Sequence, residues 1–242
     1  MNFFQDLLTK EDIVVEDSLL ASIPNLVTDE GNAFLLSPFM DEEIEKAIFY
    51  LGGDRAPGPD GFPAAFFQKY WHIVGNDIVE ALREFQRTKH MPVAVNATFL
   101  TLIPKVVGAL SFSQYRPISL CNSVLKIITK TLANRLKSLL PSLITPHQGG
   151  FVKGRLIFDG VISLHEIIHS MDKSKEAGMI LKLDMNKAYD RVSWSFLERV
   201  LLKFEFNKDW VSLTMKCVST TWFSVLINGA VVSFFKSSRG LK

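Results

Sequence analysis

Seventy-four consecutive residues, Phe85 to Phe158, contain no Asp or Glu yet carry ten Lys and Arg side chains. A helix normally offsets its cations with acids one turn away, and a helix here has none to use. The ten are Arg87, Lys89, Lys105, Arg116, Lys126, Lys130, Arg135, Lys137, Lys153 and Arg155. They have to find acids elsewhere in the fold, stay solvated, or meet a polyanion. The acids are concentrated upstream. Residues 1–60 hold 13 acidic and 3 basic side chains and residues 61–242 hold 12 and 24, so the net charge of +2 conceals two opposed parts. A polyanion-binding face and a solvated face balanced by the acidic N-terminal third fit this pattern equally well.

At 48% hydrophobic and 21% charged, the 242 residues suit a globular chain with a sizeable core. No apolar run reaches the roughly 18 residues of a membrane span, and the N-terminus lacks the basic and apolar regions of a secretory signal. Two cysteines, Cys121 and Cys217, make no disulfide framework and suit a reducing, intracellular compartment, the nucleus included.

The hydrophobic pattern predicts mixed secondary structure. Residues 1–36 are compatible with helix but weakly patterned. Residues 41–51 place Ile44, Ala47, Ile48 and Leu51 at helical spacing behind an acidic first turn. Gly52-Gly53 ends that helix, and Ala56-Pro57-Gly58-Pro59-Asp60-Gly61 reads as an ordered loop. One or two helices are expected over 63–88, a strand from Thr98 to Ile103, a helix over 123–140 and another over about 158–171. Met179 to Met185 reads as a buried strand, followed by helices near 194–204 and 208–219. Asn228-Gly229, set between apolar strands, signals a type I′ hairpin. The order lacks a regular βαβ repeat, which points to an α+β fold.

Asp184 closes the apolar run Leu181-Lys182-Leu183, where a rigid strand would present a carboxylate at its edge. An Asp that merely caps the next turn is the plainer account of this position alone. Its context decides. Leu181 to Trp194 (LKLDMNKAYDRVSW) resembles the first carboxylate motif of reverse transcriptases, in particular those of plant LINE-type non-LTR retrotransposons. Ala56–Gly61, Ile103-Pro104-Lys105, Tyr115–Asn122, Leu132–Leu136 and His147–Arg155 resemble that family's successive blocks, in its order.

The resemblance implies a helix-rich α+β right-hand polymerase fragment with a small antiparallel sheet. Residues 1–55 would be an acidic helical extension, 56–178 the fingers, and 179–242 a partial palm. The expected activity is RNA-directed DNA synthesis, with an RNA template, a DNA primer, dNTPs and two Mg²⁺ ions. Asp184 would hold the metal, joined by the Met185 carbonyl on the nucleotide side. Tyr189 would stack on the sugar and exclude a 2′-hydroxyl. Lys105 and Arg116 would reach the triphosphate. Gly149, Gly150, Lys153 and Arg155 would meet the template.

Ser238 to Lys242 resembles the opening of the family's next block. The chain is therefore expected to stop before the second carboxylate hairpin and the thumb, and to be inactive unless another polypeptide supplies them. A nucleic-acid-binding module without catalysis is the alternative. A remoter one is His165-Glu166-Ile167-Ile168-His169, a literal H-E-x-x-H zinc motif that lacks a third ligand.

Overall fold

The computed structural model describes residues 2–9, 17–175 and 177–241. The described chain opens with helices α1 (Asn2–Thr9), α2 (Asp17–Ala21), α3 (Asp29–Leu36) and α4 (Asp41–Tyr50). Thr28 caps α3 by accepting from the Gly31 N–H at 3.1 Å. The Glu43 carboxylate accepts from the Met40 N–H at 3.0 Å, which fixes the start of α4. Residues 63–88 form two helices, α5 (Ala64–Lys69) and α6 (Trp71–Thr88), separated at Tyr70.

Strands β1 (Ala97–Pro104) and β2 (Tyr115–Cys121) come next, then α7 (Ser123–Leu136), α8 (Leu140–Leu143) and α9 (Ile157–Ser174). Helices α10 (Trp194–Lys203) and α11 (Lys208–Ser219) precede the hairpin β3 (Trp222–Ile227) and β4 (Ala230–Lys236). Asn228 and Gly229 both take positive φ, 52° and 80°, as the I′ turn requires. Neither Cys121 nor Cys217 forms a disulfide.

The α+β expectation holds, with three differences in the strands. The four strands run in the order β2-β1-β3-β4, and the central pair β1–β3 is parallel, so the sheet is mixed rather than antiparallel throughout. The crossover between them carries α7 through α11, ample for a parallel connection. Strand β2 carried no clear strand signal because Pro117 interrupts it. Pro is tolerated there because β2 is an edge strand, with Pro117 opposite Leu102.

The third difference is the segment 179–185, which is not a strand. It pairs with neither edge of the sheet, and Met179, Leu181, Leu183 and Met185 are exposed. An apolar run holds strand geometry only where a neighbour completes its backbone hydrogen bonds.

Two cores result. The larger is helical and centres on Leu35, Phe39, Ile44, Ile48, Leu82, Ile127 and Trp210. The smaller seats Phe4 and Leu8 of α1 against Leu100, Phe223, Val225 and Phe235 of the sheet.

Arg135, 3% exposed, ties α7 to the α3–α4 turn. Its guanidinium pairs with Glu43, donates to the carbonyls of Leu35, Ser37 and Pro38, and lies 4.5 Å from the Phe39 ring centroid. Asn122 does similar work for the 56–61 loop. Its Nδ2 donates to Ala94 O at 2.7 Å and its Oδ1 accepts from the Asp60 N–H at 3.1 Å. A Cβ at Gly58 would come within 2.3 Å of Asn122 Oδ1 and 2.4 Å of Asn122 N, so only glycine allows that approach.

Candidate nucleotide-binding site

Past the end of β1 the chain turns back into β2 through a short 3₁₀ turn, Phe112–Gln114. Two hydrogen bonds fix Lys105 there. Its N–H donates to Gln114 O at 2.8 Å and its ammonium to Ser113 O at 3.3 Å. Arg116 stands opposite Ile103 in the β1–β2 register, two positions before Lys105, and is exposed.

Tyr189 opens the 3₁₀ turn Tyr189–Arg191 and is 56% exposed. Its ring meets that of Phe151 edge-on, centroids 6.2 Å apart at 85°. The 147–155 loop therefore lies against the Tyr189 turn. Later chain holds this turn from behind: Leu241 N–H donates to Tyr189 O at 2.8 Å and Gly240 N–H to Val192 O at 2.9 Å. Trp194 Nε1 donates to Gly240 O at 2.8 Å. Gly240 has φ 86°, and a Cβ there would fall 2.8 Å from Asp190 O, which excludes a side chain twice over.

Asp190 sits in this turn among cations. Burial pushes its carboxyl above the usual carboxylate range, against the opposing pull of Lys187, Arg191 and Lys105. Burial likewise lowers the Lys187 ammonium, opposed by Asp190, while the neighbouring charges of Lys105 and Arg191 lower it further. The fold thus brings Lys105 into the field of the Tyr189 turn from far upstream. Lys187 adopts the left-handed region at φ 53°, unusual for a long side chain. Its ammonium lies 4.4 Å from the Phe3 ring centroid, and Phe3 in turn stacks on Phe112, centroids 6.1 Å apart.

Asp184 and Met185 are exposed in the segment expected to be a strand, and Asp184 has no hydrogen-bond or ion-pair partner among the described residues. Nothing yet fixes this carboxylate in place. Among the described residues no three His, Cys, Asp or Glu side chains gather as a metal site. One carboxylate does not suffice to hold two divalent ions, so the described residues do not complete the two-ion site. Likewise His165 and His169, exposed on α9, have no third zinc ligand among the described residues.

In the 147–155 loop, Lys153 is exposed. The Arg155 guanidinium is engaged internally, donating to the carbonyls of Ile144 at 3.0 Å, Gln148 at 2.9 Å and Thr145. A Cβ at Gly149 would stand 3.2 Å from Leu156 O, whereas at Gly150 it would meet only Gln148 Nε2, at 3.5 Å. The tight approach at Gly149 is therefore to the chain's own backbone. Sequence reasoning missed Lys187, Arg191, Phe151 and Phe3. The first two stand inside the carboxylate motif as cations flanking Tyr189, a signal that was available. Phe3 left none, since its partner is far along the chain.

The protein-family model described as "Reverse transcriptase (RNA-dependent DNA polymerase)" matches residues 103–242, more than half of the chain. The chain is 28% identical over its whole length to the "Transposon TX1 uncharacterized 149 kDa protein" of Xenopus laevis, covering 18% of that protein. It is 27% identical over 81% of its length to the "Probable RNA-directed DNA polymerase from transposon X-element" of Drosophila melanogaster, covering 22% of it. Over 49% of its length it is 30% identical to the "Retrovirus-related Pol polyprotein from type-1 retrotransposable element R2" of Popillia japonica, covering 16% of that protein. The chain thus spans about a fifth of the length of these curated relatives. No helix among the described residues is long and apolar enough to cross a membrane. With its six ordered blocks and this match, the chain belongs to the reverse transcriptase (RNA-dependent DNA polymerase) family, on the side of the non-LTR retrotransposons.

Proposed function

We propose that this chain is the nucleotide-receiving part of a polymerase that copies an RNA template onto a DNA primer from dNTPs. Residues 56–178 act as fingers and 179–242 as part of the palm, with residues 1–55 as an acidic extension. The observation that carries this reading is that Phe3 links the two segments, stacking on Phe112 beside the carbonyl that Lys105 grips and carrying the Lys187 ammonium on its ring, since a polymerase needs phosphate-binding cations beside the surface that receives the sugar.

Each residue then has a task that its position supports. The exposed Tyr189 ring offers a flat face for the sugar and leaves no room for a 2′-hydroxyl. Lys105 and Arg116, on the two arms of one hairpin, neutralise the triphosphate. Lys153 contacts template phosphate, with Gly149 and Gly150 giving the loop its shape and Arg155 latching it closed. Asp184 and the Met185 carbonyl are the chain's contribution to the divalent ions that family members use, Mg²⁺ in our reading. The remaining carboxylates have to come from outside the described residues.

Primer extension on an RNA template with Mg²⁺ and dNTPs tests this. The 242-residue chain alone is expected to extend nothing. A polypeptide that continues it through further carboxylates and a thumb is expected to extend the primer, to lose that activity with Asp184→Asn, and to admit ribonucleotides with Tyr189→Ala. Extension by the chain alone would overturn the reading that its described carboxylates do not suffice for catalysis. Extension untouched by Asp184→Asn would overturn the site assignment.

A further inference from the structure

Helix α1 is too short to hold its shape alone, since an isolated helix of eight residues is unstable in water. It is helical because it is docked. Phe4 and Leu8, one turn apart, are buried against Leu100, Phe223, Val225 and Phe235. The last turn of a helix leaves carbonyls without partners of its own, and here the 238–239 segment supplies them. The Ser238 and Arg239 N–H groups donate to Leu8 O at 2.9 and 3.2 Å, and Arg239 Nε donates to Leu7 O at 2.7 Å. Among the described residues no ion pair reaches α1. Undocking would free two apolar anchors and these hydrogen bonds. It would leave the helical core around Leu82 and Trp210 untouched, because α1 contributes no side chain to it.

The start of α1 bridges a gap. Phe3 stacks on Phe112, centroids 6.1 Å apart, and Phe4 meets the same ring edge-on at 5.6 Å. Phe112 opens the turn whose Ser113 carbonyl accepts from the Lys105 ammonium. The Phe3 ring also carries the Lys187 ammonium, 4.4 Å from its centroid and two residues before Tyr189. One ring therefore stands between the turn that fixes Lys105 and the chain that leads into Tyr189. A nucleotide whose phosphates meet Lys105 and whose sugar meets Tyr189 has to span the same two segments.

We propose that α1 is an autoinhibitory strap: docked, it fills the space between the Lys105 turn and the Tyr189 turn, so that α1 and an incoming deoxynucleotide exclude each other there. This rests on the reading of those two turns as the nucleotide site, and adds that the site is shut while α1 is docked. The exclusion is mutual by linkage: nucleotide binding releases α1, and releasing α1 strengthens nucleotide binding. The affinity observed is the intrinsic one reduced by the fraction of chains in which α1 is undocked.

Calorimetric titration of the 242-residue chain with dTTP, joined to amide hydrogen exchange, tests the strap without requiring catalysis. Phe4→Glu puts a carboxylate in an apolar socket and is expected to raise dTTP affinity about tenfold, with the α1 amides exchanging as in an unfolded segment. Phe3→Ala keeps both anchors and removes only the bridging ring. It is expected to raise the affinity about threefold, with the protection of α7 unchanged. In the wild-type chain, saturating dTTP is expected to strip protection from the α1 amides.

If Phe4→Glu fails to fold, Phe3→Ala and the exchange measurement decide alone. The inference is overturned by an affinity that these changes leave unaltered or weaken, or by α1 amides that stay protected with dTTP bound. In that case, weaker dTTP binding with Lys105→Gln and with Tyr189→Ala leaves the nucleotide-site reading standing. Binding indifferent to both changes overturns that reading as well. No dTTP binding by the wild-type chain or by either α1 variant overturns both.

Discussion

Arg135 belongs to the acid-free stretch, yet it serves the core rather than a polyanion. Burying a guanidinium costs several kcal/mol unless every donor is matched, and here one carboxylate, three carbonyls and an aromatic face match it. Arg135→Ala is expected to destabilise the chain by about 3 kcal/mol, leaving Glu43 and the carbonyls unpaired, as measured by urea unfolding. Asp190 presents the opposite balance, because its carboxyl is raised by burial in spite of the surrounding cations. A carboxyl raised in the folded state contributes stability that is complete below its unfolded value, near 3.8, and is lost as pH rises through the folded value. Asp190→Asn is therefore expected to gain on the wild type in urea midpoint as pH is raised from about 3 to 6. A midpoint difference that stays constant over that range would contradict the assignment.

At the scale of elements, the helices were legible wherever apolar residues recur at helical spacing, as in α4 and α7, and the β3–β4 hairpin was legible from Asn228-Gly229 alone. Strand β2 was hidden by Pro117, whose place at an edge is a fact of the sheet and not of the segment. The 179–185 run shows the converse: its composition states what the residues prefer, and only a neighbouring strand can supply what they need. Helix α9 is amphipathic by spacing, yet Val161, Ile162, Leu164 and Ile168 all remain exposed, and no residue of it is buried. Exposed apolar side chains in such number are of the kind that drives association. The double change Ile162→Lys and Ile168→Lys is expected to raise the concentration at which the chain stays monodisperse in light scattering, with Tm unchanged.

At the scale of the whole molecule, the charge asymmetry was visible in the sequence, but its division between structure and binding was not. Glu84, Asp209 and Glu43 neutralise Arg87, Lys89 and Arg135, so the acid-free stretch borrows its acids from both sides. Lys130 lies 3.5 Å from the Tyr50 ring centroid, spent on the acidic extension. Lys105, Arg116, Lys137 and Lys153 remain exposed, and for all of these but Lys137 the family motifs already suggested a role. Motif reading proposes a site whose residues are close in sequence within each block. It missed Phe3 and the cation group because those depend on contacts between blocks.

Helix α1 has one more consequence. Its Leu7 carbonyl accepts from Arg239, 232 positions later, and its Phe4 and Leu8 are covered by strands that include β3 and β4. During synthesis α1 thus emerges well before the strands that house it. Until the hairpin arrives, its apolar face has nothing of its own to cover it, and closing so long a loop is slow. The growing chain carries α1 bare until β3 and β4 have been made, and the lysine that Phe3 steadies is set in place only when these distant segments meet.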